Sequence, residues 1–199
     1  SLAIDREAIV TALKSGTTAP FWIHPNAIGA PGKTYASDFG VKTNDASAKA
    51  LIHAYCADHG ITPDELTLTY YFSSGDLHQV RAELLAAMWE TTLGIHVKLE
   101  NSDWGVFKDV RKQGKHHIYR TAWIQDYLDA NNFTADVFLC PGGYYQASTD
   151  WPSEGCADLY ADPLYTEYER LVTEAAHEPD TAKRAELYAR SEKILTRDA

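Results

Sequence analysis

The chain has 199 residues, a net charge of −10, and 45% hydrophobic and 23% charged residues, the composition of an ordinary globular protein. That acidity argues against a nucleic-acid partner, which needs a basic stripe to neutralise phosphates, and against an anionic membrane surface. No run of about 18 apolar residues offers a membrane span, whereas five Trp, twelve Tyr and six Phe supply surfaces that either fill a core or line a ligand cleft.

In chain order, Asp5 caps a predicted helix over 5–14 with an apolar stripe of Ile4, Ile9, Val10 and Leu13, ended by Gly16. Residues 17–44 carry Pro20, Pro25, Pro31, Gly29, Gly32 and Gly40 and read as a long irregular loop. A second helix over 45–59, capped by Asn44 or Asp45, puts Ala48, Leu51, Ile52 and Tyr55 on one side. Cys56 takes a core position there, and Gly60 is the stop. Residues 66–72 form the clearest strand. Asp76 then caps a helix to about Leu93 that buries Leu77, Leu84, Leu85, Met88 and Trp89. Residues 95–100 alternate as a strand, and Asp103 caps a helix to about Gln113 that buries Trp104, Phe107 and Val110. A third strand covers 116–124, because Ile118, Tyr119, Thr121, Trp123 and Ile124 are β-branched or aromatic. Strand, helix, strand, helix, strand predicts an α/β architecture with a parallel component.

The third strand runs into Asp126-Tyr-Leu-Asp129, where Asp129 is the expected N-cap of a short helix. A strand end feeding a loop is where α/β sheets present ligand-binding groups. Arg120, Trp123 and Asp126 put a cation, an aromatic plate and a carboxylate within seven residues. Arg120 and Trp123 face opposite ways on a regular strand, yet Trp123 and the Asp126 loop can meet above its end. A buried sheet edge with a capped loop reads equally well. Cys140 and Cys156 then bracket a Gly- and Tyr-rich loop. A bridge there would close a loop of fifteen intervening residues, worth about 3 kcal/mol of unfolded-state entropy, and would imply an oxidising compartment. Two further helices, 163–176 behind Asp162-Pro163 and 180–199, complete the chain.

Other chemistry is thin. His116 and His117 are adjacent, so a strand sends them to opposite faces, away from a shared metal. His53, Cys56 and His59 have no further ligand pair nearby for a structural zinc. No nucleophile elbow, phosphate loop or dinucleotide fingerprint occurs. Asp126 and Asp129 would be the carboxylates of a hydrolase, although capping accounts for Asp129. His78 opens a helix at a strand's carboxyl end, where an anion is favoured; a first-turn His facing water is the alternative.

Several stretches resemble one family in order. They are Ser1-Leu-Ala-Ile-Asp-Arg-Glu-Ala-Ile9, Ala48-Lys-Ala-Leu-Ile52, Ser74-Gly-Asp-Leu-His78 with Trp89 and Leu93-Gly94, and Leu99-Glu-Asn-Ser-Asp-Trp104. Arg120-Thr-Ala-Trp-Ile-Gln-Asp-Tyr-Leu-Asp-Ala-Asn-Asn-Phe133 and Ala185-Glu-Leu-Tyr-Ala-Arg-Ser-Glu192 continue the series. The family is the bacterial oligopeptide- and dipeptide-binding proteins of ABC importers, the extracellular solute-binding family 5. The resemblance implies a class II periplasmic-binding-protein-like α/β lobe with a mixed central sheet. Residues 1–199 would form that single lobe, a carboxyl-terminal fragment of a longer two-lobed protein. It implies a non-enzymatic protein, periplasmic or anchored outside the cell as a lipoprotein. The expected partners are a peptide, the importer's permease subunits and the remaining lobe, with no cofactor. By the same resemblance Asp126 would pair with the peptide's α-ammonium, Arg120 would lie at the cleft, Trp123 and Trp104 would be pocket walls, and His78 would meet a peptide carboxylate. Thr121-Ala122 replaces the usual Gly or Ala-Gly before Trp123, and Ala130 replaces a usual Pro. Those departures keep sugars, nickel chelates and murein peptides open as ligands, since relatives also take them.

Overall fold

The computed structural model describes residues 1–14, 41–112, 116–120, 122–140 and 159–198. These fall into two compact units, the described residues of Ser1–Ala19 with Lys42–Thr121, and those of Pro20–Val41 with Ala122–Ala199. The predicted loop over 17–44 and the segment between Cys140 and Cys156 lie largely or wholly outside the described residues. Among the described residues no helix is long and apolar enough to cross a membrane.

In the first unit, α1 spans Arg6–Leu13, with the Asp5 carboxylate accepting from the Ala8 N–H. It ends at Lys14, two residues before Gly16, with a left-handed φ of 48°. Helix α2 spans Asp45–His59; the Asn44 side chain accepts from Ser47, and Gly60 closes it at φ 67°. That conformation strains any residue with a Cβ, which is why Gly stands there. Leu51 and Tyr55 were expected inside but are 63% and 46% exposed. The inward row is Ala48, Ile52 and Cys56, spaced by four, a narrower stripe than the sequence suggests.

Strands β1 (Thr67–Ser73), β2 (His96–Ser102) and β3 (Ile118–Tyr119) stand in the order β2-β1-β3, both pairings parallel. The α/β class is as expected; the described strands are parallel rather than mixed. Helices α3 (Asp76–Leu93) and α4 (Trp104–Lys112) follow β1 and β2 as the crossovers that parallel pairing requires. On the central strand the period of two separates the faces. Tyr70 and Phe72 join Ala82, Trp89 and Ile95 in one core, where Trp89 meets Tyr70 edge-on at 5.8 Å. Tyr71 points the other way, stacked on Phe107 at 5.2 Å and on His116 at 4.3 Å.

Three expectations in this unit are corrected. Asp76 does not cap α3: Gly75 holds the N-cap position at φ 146° with no side-chain bond, and Asp76 is the first helical residue. Its carboxylate acts as a charge at the positive helix end. Leu77 and Trp104 are 51% exposed rather than buried. The third strand stops after Tyr119: the Arg120 N–H still donates to the Tyr71 carbonyl, but residues 122–125 are irregular. The two adjacent histidines serve the fold. His116 Nε2 lies 2.9 Å from Glu100, and His117 Nδ1 accepts from the Thr69 N–H.

In the second unit, α5 spans Asn131–Phe138, α6 Pro163–His177 and α7 Thr181–Lys193, the last continued by a π turn at Ile194–Asp198. Asp162, ahead of Pro163, and Asp180 cap α6 and α7 as their sequences predict. Their core holds Tyr165, Tyr168, Leu171, Val172, Leu187 and Tyr188. Tyr168 is fully buried, and its hydroxyl donates to the Thr134 carbonyl at 2.5 Å, satisfying the group that burial would otherwise penalise. Cys140 is buried against this core and Cys156 lies outside the described residues. Among the described cysteines Cys56 is a free, buried thiol.

Candidate functional site

Three of the five predicted ligand residues sit at the carboxyl ends of the three parallel strands. His78 follows β1, Trp104 follows β2 and Arg120 follows β3. This is the end of an α/β sheet where ligands are held. Gly75 allows the chain to turn sharply from β1 into α3 and lets the His78 ring pack close; a Cβ at residue 75 would lie 3.4 Å from His78 Nδ1. That nitrogen is 2.9 Å from the Ser73 carbonyl and 3.1 Å from its hydroxyl. A carbonyl only accepts, so Nδ1 carries the proton. Neutral His78 then presents an acceptor at Nε2, and it can meet a carboxylate through that atom only as the imidazolium. Trp104 stacks on Phe107 at 5.6 Å and leaves half its surface to solvent, the arrangement of a wall. Arg120 is half-buried near Tyr70. Burial holds the Tyr70 hydroxyl above its ordinary range, against the charges of Arg120 and Arg81, which pull it down.

Trp123 and Asp126 belong to the second unit. Both are tied to Asn132, a fully buried residue in the first turn of α5. Asn132 Oδ1 accepts from the Trp123 indole N–H at 3.0 Å and from the Asp126 backbone N–H at 2.8 Å. Its Nδ2 donates to Asp136 Oδ2 at 2.8 Å and to Asp126 Oδ2 at 3.3 Å. Asp126 itself is exposed, so a fixed carboxylate faces water.

Asp129 is not the N-cap of α5; Ala130 occupies that position without a side-chain bond. The Asp129 carboxylate accepts from the Asn131 N–H at 2.8 Å and pairs with Arg184 at 2.7 Å. Arg184 also reaches the Tyr188 hydroxyl and the Ala175 carbonyl. Burial is the main cause, with Asp129 helping, that pushes the Tyr188 hydroxyl up to about 12, so it stays a donor across the ordinary pH range. Asp129 thus fastens the loop to α7, and its ion pair argues against a second hydrolytic carboxylate. Asn132 and Arg184 were missed in sequence. An Asn in a first helical turn reads as surface, and Arg184 lies 55 residues from its partner.

Residues 1–145 match the family model of the bacterial extracellular solute-binding proteins, family 5 Middle. The chain belongs to this family. It is 27% identical over its full length to the periplasmic oligopeptide-binding protein OppA of Salmonella typhimurium, covering 34% of that protein. It is 26% identical to the dipeptide-binding protein DppE of Bacillus subtilis, again over its full length and 34% of the relative. The crystal structure of Haemophilus influenzae OppA in complex with RPPGFSPFR superposes with a TM-score of 0.74 at 23% identity, over 99% of this chain and 36% of that one. The family-5 chain therefore spans about a third of the length of these relatives and shares their fold.

Proposed function

We propose that the full-length protein is the substrate-binding component of an ABC importer, capturing peptides between two lobes and delivering them to permease subunits. Residues 1–199 would belong to one lobe, and the rest of the polypeptide would supply the other wall. The observation that carries the reading is the Asp126 carboxylate, exposed and held beside Trp123 by a buried amide. Such a group suits a peptide's α-ammonium, a charge-assisted partner whose position does not depend on side-chain identity. Exposed Trp104 and the half-buried Trp123 would accept varied side chains, Arg120 would lie at the cleft, and His78 would meet a carboxylate when protonated. Capture without chemistry fits a family of solute binders, and a periplasmic or externally anchored location fits the names of the relatives.

Calorimetry of the full-length protein against a panel of peptides, murein peptides, sugars and nickel chelates tests this. Stoichiometric peptide binding without product formation is the expected result. Turnover, or saturable binding confined to a non-peptide class, would overturn it.

We also infer a Cys140–Cys156 bridge. Cys140 is buried and is not among the free thiols of the described residues. Its backbone N–H donates to the Tyr165 hydroxyl at 2.6 Å and its carbonyl accepts from Tyr160, so one end of the loop is already anchored. Mass spectrometry after alkylation of the denatured, non-reduced chain should find one modified cysteine, Cys56; three modified cysteines would end the proposal. Reduction should cost about 3 kcal/mol of stability.

A further inference from the structure

We propose that Asn132 is a positioning residue for ligand recognition, setting the carboxylate of Asp126 and the ring of Trp123 as one unit. The inference rests on the reading of Asp126 as the ammonium partner and adds the group that makes it selective. An Asn amide has two acceptor sites on oxygen and two N–H donors. At Asn132 all four are occupied, by Trp123 and the Asp126 N–H on one side and by Asp126 and Asp136 on the other. The two sides cannot exchange: turning the amide over would aim donors at two N–H groups and an oxygen at two carboxylates. The side chain is 0% exposed, so water cannot substitute for a lost partner. The same Asp136 oxygen, Oδ2, also accepts from the Tyr127 hydroxyl at 2.8 Å.

The consequence is geometric. The exposed Asp126 side chain would otherwise sample several rotamers, and binding would have to freeze it. Here its backbone N–H and its Oδ2 are fixed by one buried amide, which also fixes the tilt of the neighbouring indole. A cation that reaches Oδ1 therefore meets the Trp123 ring at a set angle. The effect should be specific to ligands carrying a free amino terminus.

The test uses the full-length protein, the tightest-binding peptide of the panel and the same peptide N-acetylated. Asn132→Ala should lower affinity for the free peptide about tenfold, as expected for losing charge-assisted bonds. Affinity for the acetylated peptide should change less than about twofold, so the ratio between them collapses. Asn132 is buried and its truncation can impair folding. Asp136→Ala, which at a half-buried position removes the outer anchor of the amide together with the acceptor of the Tyr127 hydroxyl, should reduce the same ratio about threefold, with calorimetric stoichiometry near one marking intact protein. A wild-type ratio retained in both variants, or equal weakening of both peptides, overturns the positioning role and leaves Asp126 as the ammonium partner. A wild type that does not distinguish the two peptides removes the ammonium reading, and this inference with it.

Discussion

Replacing Asp126 by Ala in the full-length protein is expected to weaken binding of a free-amino peptide by about 2 to 5 kcal/mol, the range for removing one partner of a desolvated charge pair. In residues 1–199 alone the Asp126 carboxylate is exposed; enclosure between lobes would exclude water and bring the interaction into that range. Truncation also releases the Asn132 Nδ2–H that Oδ2 accepts, a loss that adds to the same side. The control is chemical rather than genetic. N-acetylation of the peptide should reproduce most of the effect in the wild type and add little in the variant. Equal affinity for free and acetylated peptide, measured by calorimetry, would falsify the assignment.

Phe72→Ala is expected to destabilise the chain by about 3 to 5 kcal/mol, the cost of an unfilled aromatic cavity. Phe72 is 0% exposed on the central strand, with β2 on one side and β3 on the other. Tyr70 packs beside it at 5.7 Å and Trp89, Ala82 and Ile95 share its cluster. A strand paired with β2 along its whole length and with β3 at Tyr70 and Tyr71 has little freedom to collapse into the void, which places the substitution toward the costly end. The denaturant midpoint of the variant measures this at unchanged slope. A loss below about 1 kcal/mol would show that α3 moves in to fill the space.

Local signals in the sequence carried much of this fold. Asp5, Asn44, Asp162 and Asp180 cap their helices as short polar side chains ahead of an apolar periodicity should. Gly60 and Gly94 end α2 and α3 in left-handed turns for the same local reason. Failures came where a neighbour decides. Leu51, Leu77 and Trp104 lie on plausible stripes, but periodicity names a side of a helix and not whether anything covers it. The third strand stops at Tyr119 although β1 runs two residues past the Tyr71–Tyr119 pair to Ser73, because β-branched and aromatic residues favour pairing without enforcing it. The candidate site divides likewise. Its chemistry-bearing residues could be named from the resemblance, and the turns that present His78 and Trp104 were legible. The buried amide beneath Trp123 and Asp126 was not, because its role depends on four groups brought to it by folding.

The parallel ladder also sets an order of assembly. No hairpin can nucleate it: β2 must come back to β1 around α3, and β3 must return around both crossovers. Tyr71 meets Ser102 across 31 residues, whereas Thr69 meets His117 across 48. The longer closure is the more costly in chain entropy, and the strand that gains from it is only Ile118–Tyr119. That difference predicts that β3 docks late, once β1, β2 and α3 have formed a surface to receive it. On that order Arg120, one residue beyond β3, would take its place only when the rest of its unit already stands.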